Sequence, residues 1–341
     1  MIGAENPGMT VHKRITRRQF DGEIIDVHTH VGIALCTYLM GSYPYGQSAE
    51  SLLYKMNAND VHAAAAFPTW ESVYFDAARF LKDRVRVAAR PRIAAAPYVL
   101  ENRLLCEEVY DKTPGAAGRI LPFAAADPAR GVERQLSELE RLADEYPIYG
   151  IKISGVMIQS SHRHLLGKGA TFVHLARERN WPILLHSTAY EGDRFCHNAI
   201  NLEVARHYRR VRFCLAHCLG FDKACLDEAD AMENVWVDSA AMKIQVEPDE
   251  ILAPPGQRFP SDYRDYKRVF GDLVRAYPAT MLWGSDSPAY TCVQRRKYAD
   301  GSQVDFTLQG SYEQEKAALD SLDARRRLAV ANRNTCRFLF G

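Results

Sequence analysis

The sequence has no excess of either sign of charge and no long apolar run. Lys and Arg together number 43 and Asp and Glu 42 in 341 residues, so the formal net charge is +1. Such a balance gives no electrostatic basis for nucleic acid or an anionic membrane as the main partner. No run approaches the ~18 apolar residues of a transmembrane helix. We therefore expect neither nucleic acid nor a membrane as a partner.

Cysteine is also sparse. Eight cysteines in the chain are too few for a disulfide scaffold, and several lie in apolar runs, which favours reduced, buried thiols. The pair Arg17-Arg18 is followed by Asp21-Gly22-Glu23 instead of the apolar stretch that a twin-arginine export signal requires. These features predict a cytoplasmic protein.

What the sequence does contain is a series of short apolar runs rich in β-branched and aromatic residues. Each run is followed by a breaker such as Pro68, Pro128, Gly155 or Gly220, which favours strands over buried helices. The predicted strands are 23–28, 61–67, 119–125, 148–154, 182–187, 212–217, 234–239 and 280–286.

Amphipathic helical patterns separate these strands. In 132–146, for example, Leu136, Leu139 and Leu142 share one face. Similar patterns occur at 171–180, 201–209, 222–231 and 263–277. Alternation of strands and helices predicts a parallel sheet, and eight units suit an α/β fold of the (β/α)8 TIM-barrel type. No G-x-G-x-x-G follows the first strand, which disfavours an open dinucleotide-binding sheet.

The connections differ in length. Residues 69–118 leave room for two helices after the second strand, and 156–169, 240–261 and 287–310 are predicted as loops over the C-terminal mouth of the barrel. No linker, repeat or low-complexity tract interrupts the chain. We predict an N-terminal extension, 1–22, and one barrel domain, 23–341.

Four histidines and an aspartate lie where predicted strands end. His28 and His30 are two residues apart, so their imidazoles face the same side of the first strand. His186, His217 and Asp286 end the fifth, sixth and eighth strands. TIM barrels carry their catalytic groups at this rim, and imidazoles suit a metal such as Zn²⁺. The competing interpretation is a set of core histidines with a capping aspartate, but a carboxylate buried without a cation is costly.

This ordered set resembles the amidohydrolase superfamily, with details of the amidohydrolase-related branch that includes aminocarboxymuconate-semialdehyde decarboxylase and dicarboxylate lactonases. The similar segments are IIDVHTHVG, LLHS, LAHCLG, WGSDSP and the closing stretch from Asn334 through Arg337, and the likeness runs from about residue 23 to 341. It implies a metal-dependent hydrolase barrel.

The resemblance also implies roles for the five residues. His28, His30, His186 and Asp286 would hold one divalent metal, with zinc as the expected ion. Asp286 and His217 would be catalytic: Asp286 would accept a proton from the activated water, and His217 would orient that water or polarise the substrate carbonyl.

Two further groups leave alternatives open. Lys152, in the fourth strand, could bridge a second metal as a carbamate, form a buried ion pair or contact a substrate carboxylate. His162 and His164 form a second H-x-H, but their polar loop favours a solvated or substrate-side position over ligation.

The substrate pocket is indicated only by aromatic rim residues, Trp70, Tyr190 and Tyr290, which suit a ring-like substrate or lid packing equally. We expect a small carbonyl compound (a lactone, amide or ester) to be hydrolysed. The alternative is non-oxidative decarboxylation of an aromatic or muconate-type acid at the same metal site. Relatives are often dimers, so a homodimer is an expectation that the sequence itself does not demonstrate.

Overall fold

The computed structural model describes residues 12–43, 46–69, 72–246, 253–297, 301 and 303–341. Its strands are β1 (Ile25–Ile33), β2 (Gly46–Gln47), β3 (Ala63–Pro68), β4 (Ile120–Ala125), β5 (Gly150–Ile153), β6 (Ile183–Leu185), β7 (Phe213–Leu215), β8 (Val235–Asp238), β9 (Met281–Leu282), β10 (Cys292–Lys297) and β11 (Gln303–Leu308).

Eight parallel strands form the barrel. The sheet has the order β2-β1-β3-β4-β5-β6-β7-β8-β9, and every pair from β1–β3 to β8–β9 is parallel. Around β9, Val27 N donates to Trp283 O (3.2 Å) and Asp286 N donates to His28 O (2.8 Å), which brings the last strand beside the first. The predicted TIM barrel is confirmed, and each of the eight predicted strands is present.

Two β features were not predicted. Strand β1 continues past residue 28, where it was predicted to end, and its end pairs with β2 in antiparallel register, Gly32 opposite Gln47. The segment 287–310, predicted as a loop, contains an antiparallel hairpin of β10 and β11. This hairpin is separate from the barrel sheet, and its sequence has no apolar run of the kind that predicts a buried strand.

Helices fill the connections between the strands. They are α1 (Leu35–Leu39), α2 (Ala49–Ala58), α3 (Ala77–Asp83), α4 (Val99–Glu107), α5 (Val132–Glu145), α6 (Gly155–Ile158), α7 (Ala170–Glu178), α8 (Asn198–His207), α9 (Lys223–Asp230), α10 (Met242–Gln245), α11 (Tyr266–Ala276), α12 (Tyr312–Asp320), α13 (Ala324–Leu328) and α14 (Asn334–Phe340). The long connection after β3 holds α3 and α4, as predicted. Among the described residues, no helix has the length and apolar character to cross a membrane.

The helices begin where side chains can cap them. Asp222 accepts a hydrogen bond from Cys225 N at the start of α9, and Asp265 accepts from Lys267 N at the start of α11. These carboxylates satisfy backbone N–H groups that have no partner within the helix.

The core has an inner and an outer layer that follow strand alternation. On β3, Ala63, Ala65 and Phe67 face the cluster inside the barrel, whereas Ala64 and Ala66 face the layer beneath the helices. Seven cysteines are free, and six of them are buried, which agrees with the prediction of reduced thiols.

Residues before β1 cover the N-terminal end of the barrel. Ile15 and Phe20 join the inner core cluster. Phe20 stacks on Phe340, with 5.8 Å between ring centroids, and its carbonyl accepts a hydrogen bond from Asn332 Nδ2. The opposite, C-terminal end of the barrel therefore remains for the polar residues.

Candidate metal centre

The first two imidazoles stand on β1 above the inner core. A register shift between Asp26 and Thr29 lets His28 and His30 both face inwards, with 5.5 Å between their ring centroids. Both are buried, and the edges of their rings meet the ring of Phe67, at 5.1 and 5.4 Å between centroids. Burial is the main cause that lowers the pKa of both, to about 4 for His28. Both imidazoles are therefore neutral at neutral pH and have a lone pair for a metal.

Asp286 meets both imidazoles. It follows β9 with φ at +62°, and its Oδ1 lies 3.2 Å from Nε2 of His28 and 3.2 Å from Nε2 of His30. Burial alone would raise the pKa of this carboxyl, but His28, His30 and His217 hold it below its ordinary range. The residue is thus an ionised carboxylate in a conformation that costs about 1–3 kcal/mol, as is common at functional sites.

These three donor atoms fit a divalent metal. With bonds of about 2.0–2.1 Å, two donors of a tetrahedral zinc site lie roughly 3.3 Å apart, close to both 3.2 Å distances. Donor atoms of His28, His217 and Asp286 also lie within 4.8 Å of one another. Two neutral imidazoles and a buried carboxylate are a donor set that zinc accepts.

His217 and His186 are hydrogen-bonded to each other, and His217 lies beside Asp286. His217 Nδ1 lies 3.1 Å from Ala240 O and 4.0 Å from Asp286 Oδ2, and its Nε2 lies 3.1 Å from His186 Nδ1. Because a carbonyl can only accept, we assign the proton of His217 to Nδ1. His186 Nδ1 then donates to His217 Nε2, and the lone pair of His186 is on Nε2.

Asp238, at the end of β8, was not among the predicted site residues. Its Oδ2 lies 2.9 Å from His28 Nδ1, and its Oδ1 accepts hydrogen bonds from the backbone N of His217 and of Ala240, each at 3.0 Å. It is fully buried. Burial opposes its ionisation, but His28 and His217 keep its pKa below the ordinary range. Asp238 therefore fixes the His28 proton on Nδ1, so that Nε2 faces the other donors.

Lys152 contacts His28 Nε2, the ring nitrogen that faces the other donor atoms. Its Nζ lies 3.1 Å from His28 Nε2 and 5.0 Å from the centroid of the Phe67 ring. Burial lowers its pKa to about 8, against the opposing charges of Asp238 and Asp286. The structure thus places Lys152 inside the candidate centre, where its ammonium and a metal ion would compete for one lone pair.

The second H-x-H has a different place. His162 is buried, not solvated as its polar loop predicted, with Nε2 accepting from Gly155 N (2.9 Å) and Nδ1 donating to Asn201 Oδ1 (2.7 Å). Asn201 Nδ2 donates in turn to the carbonyl of His186 (2.8 Å). His164 is half-buried and has no part in these contacts. His162 therefore ties the loop after β5 to the residue that ends β6.

The three aromatic rim residues are not gathered at the centre in the described part of the chain. Trp70 lies outside the described residues. Tyr190 is exposed, whereas Tyr290 packs in the outer core with its hydroxyl 3.3 Å from Ser287 Oγ, and burial raises its pKa to about 12. A pocket role for them stays a prediction.

Fold and site together define a TIM-barrel enzyme of the amidohydrolase class. A family model described as Amidohydrolase matches residues 25–332, so the chain belongs to the amidohydrolase family. The family resemblance in the sequence is thereby confirmed. A comparison with curated proteins gives no match.

Solved structures resemble the chain over nearly its whole length. An amidohydrolase from Burkholderia multivorans with bound HEPES has a TM-score of 0.58 at 14% identity, covering 93% of this chain and 99% of that one. A 2,6-dihydroxybenzoate decarboxylase from Rhizobium has 0.56 at 14%, covering 93% and 98%. A probable 2-pyrone-4,6-dicarboxylic acid hydrolase from Acinetobacter baumannii with bound citric acid has 0.52 at 12%, covering 93% and 99%. At such identities the likeness shows the fold alone.

Proposed function

We propose that the chain is a hydrolase that cleaves a small lactone, amide or ester with one divalent metal, zinc as the expected ion. The observation that carries this proposal is Asp286, an ionised carboxylate whose Oδ1 meets two imidazoles while its Oδ2 faces His217. When bound there, a divalent ion lowers the pKa of a water from ~15.7 towards ~7 and polarises a carbonyl.

The chain's own residues then transfer the proton. Asp286 takes a proton from the attacking water as its oxygen bonds to the carbonyl carbon. It returns that proton to the leaving oxygen or nitrogen as the scissile bond breaks. His217 is held by Ala240 O through Nδ1 and by Asp238 through its backbone N, and its Nε2 accepts from His186 Nδ1, so it positions His186. Its predicted role of orienting the water or the carbonyl oxygen requires His186 to release that nitrogen.

His28, His30 and Asp286 are proposed as metal ligands, and His186 as the fourth. The hydrogen-bond chain supports His186 over His217, since His217 already uses both ring nitrogens, on Ala240 O and on His186. If His186 is the ligand, His186→Ala loses more metal than His217→Ala. The reverse order would assign the fourth position to His217.

Decarboxylation of an aromatic or muconate-type acid is the second candidate, and Lys152 offers a contact for the carboxylate of such a substrate. An ammonium group 3.1 Å from His28 Nε2 can seat a substrate carboxylate beside the proposed metal. The same contact also suits a hydrolase whose substrate carries a carboxylate, so Lys152 bears on the substrate class more than on the reaction.

The deciding experiment is a substrate panel of lactones, amides, esters, hydroxybenzoates and aminomuconates, with acid formation and CO₂ release recorded separately. We expect acid formation without CO₂, and CO₂ release would establish the decarboxylase instead. Asp286→Asn should lose activity by at least ~10²-fold. An Asp286→Asn protein that keeps its metal and most of its rate would contradict the proton role. Asp144→Asn, an exposed surface aspartate beside Arg179, is the matched control.

A further inference from the structure

A cavity at the end of the barrel away from the candidate metal centre is lined mainly by basic side chains. It has a volume of about 420 Å³ and lies beside the ends of α7 and α8, the helices that lead into β6 and β7. No acidic residue of the described part of the chain lines it. Six of the nine lining residues, which we call the α7–α8 basic cluster, carry guanidinium or imidazole groups: His174, Arg177, Arg206, His207, Arg209 and Arg210.

Most of the arginines in this cluster have no carboxylate to neutralise them. Arg206 forms an ion pair with Glu228, with 2.6 Å between Nη2 and Oε1. An exposed arginine just outside the cluster is paired too, Arg179 with Asp144 at 3.4 Å. Within the described residues the other three arginines of the cluster form no ion pair: Arg177, Arg209 and Arg210. Because the whole chain has 43 basic and 42 acidic residues, these three groups are a local excess of positive charge.

The helix ends account for only part of this charge. Cations in the last turn of a helix offset the negative end of its dipole, which explains the basic residues in the last turns of α7 and α8. Arg209 and Arg210 follow α8 instead. They are the two central residues of a turn closed by Val211 N, which donates to Tyr208 O at 3.0 Å. Their position is therefore not explained by the helix dipole.

The turn that carries these two arginines is held by polar contacts with distant segments. Asn234 Nδ2 donates to the carbonyl oxygens on both sides of the turn, to Tyr208 O at 3.3 Å and to Val211 O at 3.0 Å. The Tyr208 hydroxyl donates to Leu165 O at 2.8 Å, and its ring lies edge-on to the ring of His174, with 6.3 Å between centroids. A fixed backbone lowers the cost of ordering the site when a ligand binds.

The chemistry of the lining indicates which ligand fits. Guanidinium groups bind phosphate oxygens in pairs, through two parallel N–H donors. A phosphate monoester carries about −1.5 to −2 charges at neutral pH, fewer than three unpaired guanidinium groups balance. A diphosphate has one further charge and more terminal oxygens, so it matches the three cations. The volume lies within the ~300–1,000 Å³ of small-molecule sites.

We propose that the α7–α8 basic cluster binds the diphosphate group of a small molecule. The site is separate from the candidate metal centre, since His186 and His217 follow the C-terminal ends of β6 and β7, whereas the cluster precedes their N-terminal ends. Binding at the cluster therefore does not depend on the proposed reaction.

The test is calorimetric titration of the whole protein with inorganic pyrophosphate. Wild type should bind one pyrophosphate per chain at the cluster. The double variant Arg209→Ala, Arg210→Ala should bind it at least ~10-fold more weakly, because it loses charge-assisted hydrogen bonds. The matched control is Arg264→Ala, Arg326→Ala, which removes the same charge at exposed arginines that are paired with aspartates. It should bind pyrophosphate as wild type does.

Inorganic phosphate and citrate, titrated in the same buffer, should bind at least ~10-fold more weakly than pyrophosphate. Citrate that binds equally well would overturn the diphosphate assignment, because the cluster would then attract any anion of that charge. A wild type that binds no pyrophosphate at millimolar concentration would overturn it as well, and so would a double variant that binds as wild type does.

A short single-stranded RNA that binds at the cluster more tightly than pyrophosphate would also contradict the proposal, since the surface would then serve a polymer. Circular dichroism shows whether each variant is folded. If the double variant is not folded, Arg177→Ala on α7 decides by the same criterion.

Discussion

The chain contains the pattern H-x-H twice, and the two pairs of histidines have different structural environments. His28 and His30 lie on a strand and contact Asp238 and Asp286. His162 and His164 lie in the 3-10 helix His162–Leu166, where the first member contacts an amide side chain and a backbone N–H. The same letters therefore give a candidate metal pair in one place and a structural hydrogen bond in the other.

Backbone geometry accounts for the difference. Residues i and i+2 of a strand face the same side, whereas a helix of three residues per turn points them in different directions. The partners differ as well. Carboxylates bring negative charge to β1, while the amide of Asn201 brings none to His162. A pattern of histidines predicts a metal only when the element and the neighbouring charges agree.

The largest effect expected from this contrast concerns metal content. His28→Ala and His30→Ala should each lose most of the bound metal, because each removes a donor close to Asp286. His162→Ala and His164→Ala, the matched controls, should keep the wild-type stoichiometry. Elemental analysis of the four variants after identical purification measures this. Equal metal loss from both pairs would show that the two H-x-H pairs do not differ in metal binding.

The second largest effect is expected from Asp238, which contacts His28 and is not among the proposed metal ligands. Asp238→Asn should weaken metal binding ~10–100-fold, because the proton on His28 Nδ1 loses its carboxylate acceptor. Competition with a chelator measures the affinity. Cys214→Ala serves as the control: its Sγ lies 3.4 Å from the same oxygen of Asp238, and we expect little change. An unaltered affinity in Asp238→Asn would contradict the proposed role.

His162 should affect stability and its pH dependence instead. Burial lowers its folded pKa to about 4, below the ~6.5 of an unfolded chain. Between these values the unfolded state binds more protons, so the stabilisation is complete above ~6.5 and is lost as the pH falls towards 4. His162→Gln should remove about 1 kcal/mol per pH unit of that decline. Urea unfolding at several pH values checks this, and identical slopes for both proteins would argue against it.

The first histidine of each H-x-H pair, His28 or His162, has a glycine packed against it. Substituting these two glycines gives the smallest expected difference between the two pairs. A Cβ on Gly284 would lie 2.8 Å from His28 Cβ, and one on Gly155 would lie 2.9 Å from His162 Nε2 and 2.6 Å from Ser160 O. Both Gly→Ala variants should lose about 1–3 kcal/mol of stability by overpacking. Only Gly284→Ala should also weaken metal binding. A weakened metal site in Gly155→Ala would mean that the two regions are coupled.

Much of this fold could be predicted from the sequence, because each barrel strand is a buried apolar run. The C-terminal ends of these runs also predicted one group of residues at a single rim of the barrel: His28, His30, His186, His217 and Asp286. One such run also contains Asp238, which lies one residue before the end of the seventh predicted strand, 234–239. Nothing local, however, indicated that its partner would be a histidine 210 positions away.

The missed features depend on contacts between distant segments. The β10–β11 hairpin has no apolar run to reveal it. The burial of His162 depends on Asn201, 39 positions further along the chain, so its polar neighbours predicted solvent exposure. Lys152 was identified from its strand, but its contact with His28 Nε2 arises only when the barrel closes.

Anomalous diffraction at the zinc edge from zinc-loaded crystals tests the central claim most directly. The account predicts a single peak bonded to His28 Nε2, His30 Nε2 and an oxygen of Asp286, with Lys152 turned away from His28. A peak elsewhere in the barrel, two peaks bridged by Lys152, or no peak at this site would contradict it.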